Sequence, residues 1–307
     1  MAREQLGICA EANLHGTYLL LNAFEGHEKV LRYKLARISQ LFDRLAGHFS
    51  EAMLTGMVAV GSNYWDVLYP DARPAALKTF PEIDANDIGM APVPIDLLIQ
   101  IRSDRLDVNI IACQQVLQLL QSHVEVQEQL QGFRYLDGRN LTGFIDAPYN
   151  PGTRTRRPVA LINTEQQPVF AAGSYLYLQY LCFDQQAWQQ LAVVDQEEIM
   201  GCYKVSGKPL PAELLLADSH FAVMQKHGEQ NTMVLQQNMP FYQLKRQGLI
   251  QMSFAASPEA LNEQLYQRLG IAEHAVGADL LLAYHHIELS AAFFAPSISF
   301  LELSATD

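Results

Sequence analysis

Between residues 16 and 24 the chain is almost wholly apolar (Gly-Thr-Tyr-Leu-Leu-Leu-Asn-Ala-Phe), a short run that predicts a strand. The period then changes. Over 28–47, Leu31, Leu35, Ile38, Phe42 and Leu45 fall on one helical face, and Gly47 predicts its end. Apolar runs at 54–60 and 95–102 predict two more strands. Residues 106–120 carry Ile110, Ile111, Leu117 and Leu120 at helical spacing, and 124–135 alternates as an extended segment does. The order is β-α-β-β-α-β, the ferredoxin-like unit.

The second half repeats that order of elements without residue-level identity to the first. Strands are predicted at 159–163 and 173–183. A helix over 185–199 follows, with Trp188, Leu191 and Ile199 inward, then strands at 233–237 and 249–255. Ser257-Pro258-Glu259 reads as a helix start: a capping hydroxyl, proline at the first helical position, an acid in the first turn. Leu261, Leu265 and Leu269 then line one face, and 280–294 is the last strand region. The expected fold is α+β: two ferredoxin-like (βαββαβ) domains of the dimeric α+β barrel type, residues 1–140 and 141–307. Between them runs a loop rich in glycine, proline and asparagine, and such loops often carry function.

Length agrees, since 307 residues suit two domains of about 150 each. With 21 basic against 33 acidic residues the net charge is −12. That balance argues against nucleic acid and anionic membrane as partners, because both require a cationic surface. Cys9, Cys113, Cys182 and Cys202 form no Cys-x-x-Cys pair, so neither a thiol-ligated zinc nor a redox dithiol is expected. Scattered free thiols fit a reducing compartment. Neither a secretory h-region nor an apolar run of about 18 residues is present, so a cytoplasmic location is expected.

Few polar residues declare a chemistry by themselves. Asp146 lies beside Phe144 and Ile145, where partial desolvation suits a carboxyl to proton transfer; a turn-capping aspartate is the other reading. His220 falls in a short extended or turn segment, and composition does not single it out as a ligand. His285 and His286, as neighbours on a strand, face opposite ways and do not share a metal. No His-Glu-x-x-His, phosphate loop, Gly-x-Gly-x-x-Gly or serine nucleophile elbow occurs.

The junction changes the picture. Arg139-Asn140-Leu141-Thr142-Gly143-Phe144-Ile145-Asp146, followed by Asn150-Pro151, resembles the signature loop of the dye-decolorizing (DyP-type) haem peroxidases. Gly173-Ser174-Tyr175, Asp218-Ser219-His220 and Phe293-Phe294-Ala295-Pro296-Ser297 resemble further segments of that family in the same order. The short N-terminal region is similar to the bacterial cytoplasmic branch. The resemblance implies haem b, with its iron bound by His220. It implies Asp279 on the other ring nitrogen, raising the ligand's basicity. It places Asp146 on the distal side as the proton shuttle for hydrogen peroxide, and Asn150 and Arg156 (or Arg157) at the haem edge. Its partners are hydrogen peroxide and a small reducing substrate, and a homodimer or larger homo-oligomer is expected.

Four positions depart from the family pattern. Ala147 replaces a glycine, Gln251 a distal aromatic and Cys202 an arginine. In Leu235-Gln236-Gln237-Asn238-Met239-Pro240, counting from the proline, Gln236 stands in the slot of the distal arginine. An amide offers the departing oxygen a dipole where a guanidinium offers a fixed charge. Arg154, Arg156, Arg157 and Arg246 are the candidates to replace it. Asp146 and Gln236 are thus the expected catalytic pair of a haem peroxidase with weakened peroxide cleavage. The alternative is a non-enzymatic haem or tetrapyrrole binder on the same fold.

Overall fold

The computed structural model describes residues 2–83, 92–225 and 233–306. In the first half, β1 (His15–Ala23), β2 (Thr55–Gly61), β3 (Leu97–Ser103) and β4 (Val124–Phe133) lie in the order β4-β1-β3-β2. All three pairings are antiparallel. Helices α2 (Glu28–His48) and α4 (Leu106–Leu120) make the two crossovers, which is the ferredoxin-like arrangement. In α2 the predicted stripe of Leu31, Leu35, Ile38, Phe42 and Leu45 is buried, though the helix runs through Gly47 to His48. In α4 the buried stripe is Val108, Ala112, Val116 and Leu120, four residues apart, and Ile110 is turned to solvent, 47% exposed. The small residues of that stripe let the helix lie close on the sheet; the larger isoleucine falls on the opposite side.

In the second half, β5 (Ser174–Phe183), β8 (Gln247–Ala255) and β9 (His285–Ala295) run β9-β5-β8. The short β6 (Leu235–Gln236) and β7 (Met239–Tyr242) both pair with β8. Helices α6 (Gln185–Gln190) and α7 (Val193–Met200) cross over first and α9 (Pro258–Arg268) second, so this half repeats the strand order of the first. Strands β2 and β9 pair at Val60–Phe294 and Gly61–Phe293, joining both halves in one nine-stranded sheet.

Five sequence expectations change. Residues 159–163 form no strand, because α5 (Arg156–Ala160) covers the start of that run. Its Pro158 lies in the first turn, where a missing N–H costs nothing. The predicted helix over 185–199 breaks at Leu191 and Ala192, both extended, and Gln196 donates to the freed Trp188 carbonyl at 2.8 Å. The strand at 233–237 shrinks to β6. A short 3-10 helix, Leu280–Tyr284, precedes β9 because Asp279 caps the Leu281 amide at 3.0 Å. His220 opens a helix, α8 (His220–Gln225), where an extended or turn segment was expected.

The sheet buries both faces. One core lies under α2, α4 and α9 and includes Leu35, Phe42, Ile99, Val116 and Leu265. The other gathers Tyr18, Leu20, Met57, Leu178, Phe254 and Phe293 from strands of both halves. Around that second core β4 closes on β7: a Cβ on Gly132 would stand 2.6 Å from Met239 Cβ. Among the described residues no helix is long and apolar enough to cross a membrane.

Candidate functional site

The loop after β4 is held by its own side chains. Asn140 Oδ1 accepts from the Thr142 amide at 3.0 Å. Arg139 pairs with Asp137 at 2.8 Å and donates to the Gly143 carbonyl at 2.9 Å. Phe144 is fully buried against Trp188, which itself donates to the Thr142 carbonyl. This anchoring fixes Asp146 at the far end of the loop. Asn238 Nδ2 donates to one carboxyl oxygen at 3.0 Å and Asn140 Nδ2 approaches the other at 3.4 Å. Burial pushes the Asp146 carboxyl up, against the pull of those two amides and of His220. Ala147, next in chain, adopts φ 42°, a left-handed backbone that favours glycine.

Strand β6 brings in Gln236. Its backbone is latched by Asn150, which donates to the Gln236 carbonyl at 2.7 Å and accepts from its amide at 2.9 Å. The Gln236 side chain is buried, accepts from Asn238 at 3.2 Å and donates to Gln264 at 3.3 Å. Asn238 is therefore the residue that couples Asp146 to Gln236.

Opposite lies His220, at the start of α8. Its Nδ1 is 2.8 Å from Asp279 Oδ2. Asp279 is 1% exposed, and it also accepts from Arg268 Nε at 3.2 Å. Burial pushes the Asp279 carboxyl up, but the charges of His220 and Arg268 and the bonds they make outweigh it, so it is held well below the usual carboxylate range. Arg268 reaches on to Gln251 at 3.3 Å and to His285 at 3.4 Å. Burial, and then Arg268, lower His285 to about 3, so that imidazole is neutral. The Nδ1 contact leaves His220 Nε2 unengaged by the carboxylate. Nε2 meets the Tyr149 hydroxyl at 3.5 Å, which also stands 3.4 Å from Gln236 Oε1.

Asp146, Tyr149, His220, Gln236, Asn238 and Arg268 line one inner cavity. With Tyr149 in place it encloses about 20 Å³, room for a single water. Of the sequence-predicted residues, the structure brings Asp146, Gln236, His220 and Asp279 together. Asn150 sits behind Gln236 as its latch. Arg156 is paired with Glu11 at 2.9 Å and lines a different, outer cavity.

None of Arg154, Arg156, Arg157 and Arg246 lines the inner cavity. Arg157 pairs with Glu4 at 2.6 Å and Arg246 with Glu288 at 2.8 Å. The guanidinium at the inner cavity is Arg268, which sequence reasoning passed over together with Asn238, Tyr149 and Gln264. Asn238 falls one residue past the strand expected at 233–237 and two past β6, so strand alternation did not reach it. The signal for Gln264 and Arg268 was the helical stripe of Leu261 and Leu265, which passes through both. Cys202 is buried with its thiol pushed up to about 11, and Trp65 packs in the core. His285 and His286 face opposite ways as expected, one buried and one exposed.

Comparison with known proteins agrees with this geometry. The family model described as "Dyp-type peroxidase, N-terminal" matches residues 5–134, and "Dyp-type peroxidase, C-terminal" matches residues 137–300. A dye-decolorizing peroxidase of Mycolicibacterium paratuberculosis is 28% identical over 289 residues, 93% of this chain and 81% of the relative. The crystal structure of a Dyp-type peroxidase protein from Shewanella oneidensis superposes with a TM-score of 0.94 at 35% identity, over 99% of both chains. A variant of DypB from Rhodococcus jostii RHA1, solved in complex with heme, superposes at 0.90 with 25% identity, over 98% of this chain and 99% of that one.

Proposed function

The chain belongs to the Dyp-type peroxidase family, and from that premise we propose that it is a haem-dependent peroxidase whose site is the inner cavity between His220 and Asp146. The observation that carries this reading is the imidazole with its Nδ1 fixed by buried Asp279 and its Nε2 unengaged by that carboxylate, facing a carboxyl across a shared cavity. That donor set fits a histidine that would hold haem iron: the carboxylate would fix the tautomer and raise the basicity of Nε2. Tyr149 stands between the two walls on contacts of 3.4 and 3.5 Å, at the weak end of hydrogen bonding, so loading requires it to give way.

When bound, haem supplies the redox-active iron at which peroxide is reduced and from which a donor is oxidised. The chain's own residues do the rest. His220 would hold the iron, and Asp279 with Arg268 holds its ring. Asp146 takes a proton from one peroxide oxygen and returns it to the other, held in orientation by Asn238 and Asn140. Gln236 turns an amide to the same space in place of a charge. The division at 140 and 141 puts His220, Asp146 and Asp279 in the second domain. Hydrogen peroxide and a small reducing substrate are its reactants, the cytoplasm its place. A homodimer or larger assembly is its state, supported by Val193, Val194, Val205 and Leu214, all more than half exposed.

Reconstitution with haem, followed by peroxide-dependent oxidation of a chromogenic donor per haem bound, tests the reading. Turnover above free haem supports it. Haem uptake without turnover favours the non-enzymatic binder, and absence of uptake overturns both.

A further inference from the structure

Asp146, Gln236 and Asn238 form a wall with a cavity on each side. The outer cavity holds about 160 Å³ and shares none of His220, Arg268 or Tyr149. Four arginines line it, Arg102, Arg134, Arg139 and Arg156, against the single carboxyl of Asp146. In a chain with a net charge of −12 this is a marked local reversal.

The most constrained of the four is Arg102, on β3 and 1% exposed. Its Nη1 donates to the Gln237 side-chain oxygen at 2.6 Å, and Gln237 in turn donates to the Ile8 carbonyl. Its Nε has no hydrogen-bond partner, and among the described residues no carboxylate pairs with it. Burial and then the neighbouring Arg156 lower its pKa, opposed by Tyr18. A guanidinium nevertheless keeps its charge in a protein. A buried charge is normally paired, because desolvation without a counter-charge is costly. Arg156, 18% exposed, has its nearest carboxylate in Glu11, which is itself 68% exposed. The other available carboxyl, Asp146, is pushed towards its neutral form by burial. Arg139 and Arg156 are paired with Asp137 and Glu11 at the cavity's rim, so the buried charge that no carboxylate among the described residues pairs with is that of Arg102.

Size and lining narrow the class of ligand. A space of about 150 Å³ takes a benzene ring. Phe133, Tyr135 and Met239 line the same cavity. We propose that the outer cavity is a binding site for a small single-ring carboxylate anion, its carboxylate on Arg102 and Arg156 and its ring against Phe133 and Met239. The site stands on these residues and does not depend on the chain being an active peroxidase.

Benzoate is the probe, with benzamide as its neutral isostere and inorganic phosphate as an anion without a ring. Calorimetric titration of the full chain, haem-free and haem-loaded, is expected to show one benzoate site at least 10-fold tighter than benzamide or phosphate. Arg102→Gln is expected to weaken benzoate at least 10-fold. Arg102→Met, which removes the unpaired charge, is expected to raise the ligand-free melting temperature. A merely structural Arg102 predicts the opposite shift. If Arg102→Gln does not fold, Arg156→Gln supplies the same loss of affinity.

Benzoate binding no tighter than benzamide, or unchanged in both variants, overturns the proposal. Phosphate binding as well as benzoate shows a site for charge alone and overturns the ligand class. Loss of benzoate binding on haem loading means that the carboxylates of haem hold the cavity, and overturns a site for a free acid.

Discussion

Ala147 shows how one side chain carries a family signature into strain. The loop needs a left-handed residue directly after Asp146, and at φ 42° an alanine costs about 1–2 kcal/mol that a glycine does not. Ala147→Gly is expected to stabilise the chain by about 1 kcal/mol, read from the midpoint of urea unfolding. Asp146 makes a second prediction. Its folded pKa is raised, so the carboxyl is protonated in both states below about pH 4 and carries no penalty there. As pH rises through the folded pKa, stability is lost, because only the unfolded state ionises freely. Asp146→Asn has no such titration. Its stability relative to the parent is expected to rise as pH is raised above about 4, and a flat difference contradicts the burial. The third prediction concerns charge. Removing an oxyanion donor typically costs roughly 10²–10³ in rate. Gln236→Arg is expected to raise the rate of peroxide-driven haem oxidation by about 10-fold or more in stopped-flow absorbance. A parent that reacts as fast as the variant means that another residue already supplies the charge.

At the scale of elements, periodicity read most helices well and the edges of the second half poorly. The α2 stripe was legible because five apolar residues repeat over about four turns. The 159–163 run was misread because its apolar residues follow an Arg-Arg-Pro that starts a helix instead. Asp146 and His220 were legible only through motif resemblance, since nothing local sets a buried loop carboxyl apart from a turn cap. Arg268 and Gln264 lie on the inner stripe of α9, and polar residues on a buried helical face are themselves a sign of a site. The tight packing of β4 on β7 is also an element property. Gly132 on β4 leaves no room for a side chain against Met239 Cβ on β7, whose position the backbone fixes. Gly132→Val is therefore expected to destabilise by about 1–3 kcal/mol, the usual cost of overpacking. An unchanged unfolding midpoint contradicts the closure of β4 on β7.

The whole molecule places its two halves in one sheet and gathers the site from the second half and from Asn140 at the border, while Arg102, Phe133 and Arg134 of the first half line only the outer cavity. That division was legible as element order, but the continuous sheet was not, because the β2–β9 pairing links residues more than 200 positions apart. An assembly of at least two chains is expected by light scattering at micromolar concentration, and a monomeric mass contradicts it. In the proposed function His220, held by Asp279, binds haem. The direct measurement is haem stoichiometry and the Soret band of the parent beside His220→Ala. Near-stoichiometric haem is expected in the parent, and in the variant either loss of most of it or a shifted ligand-field spectrum. An unchanged Soret band at unchanged stoichiometry in the variant contradicts it.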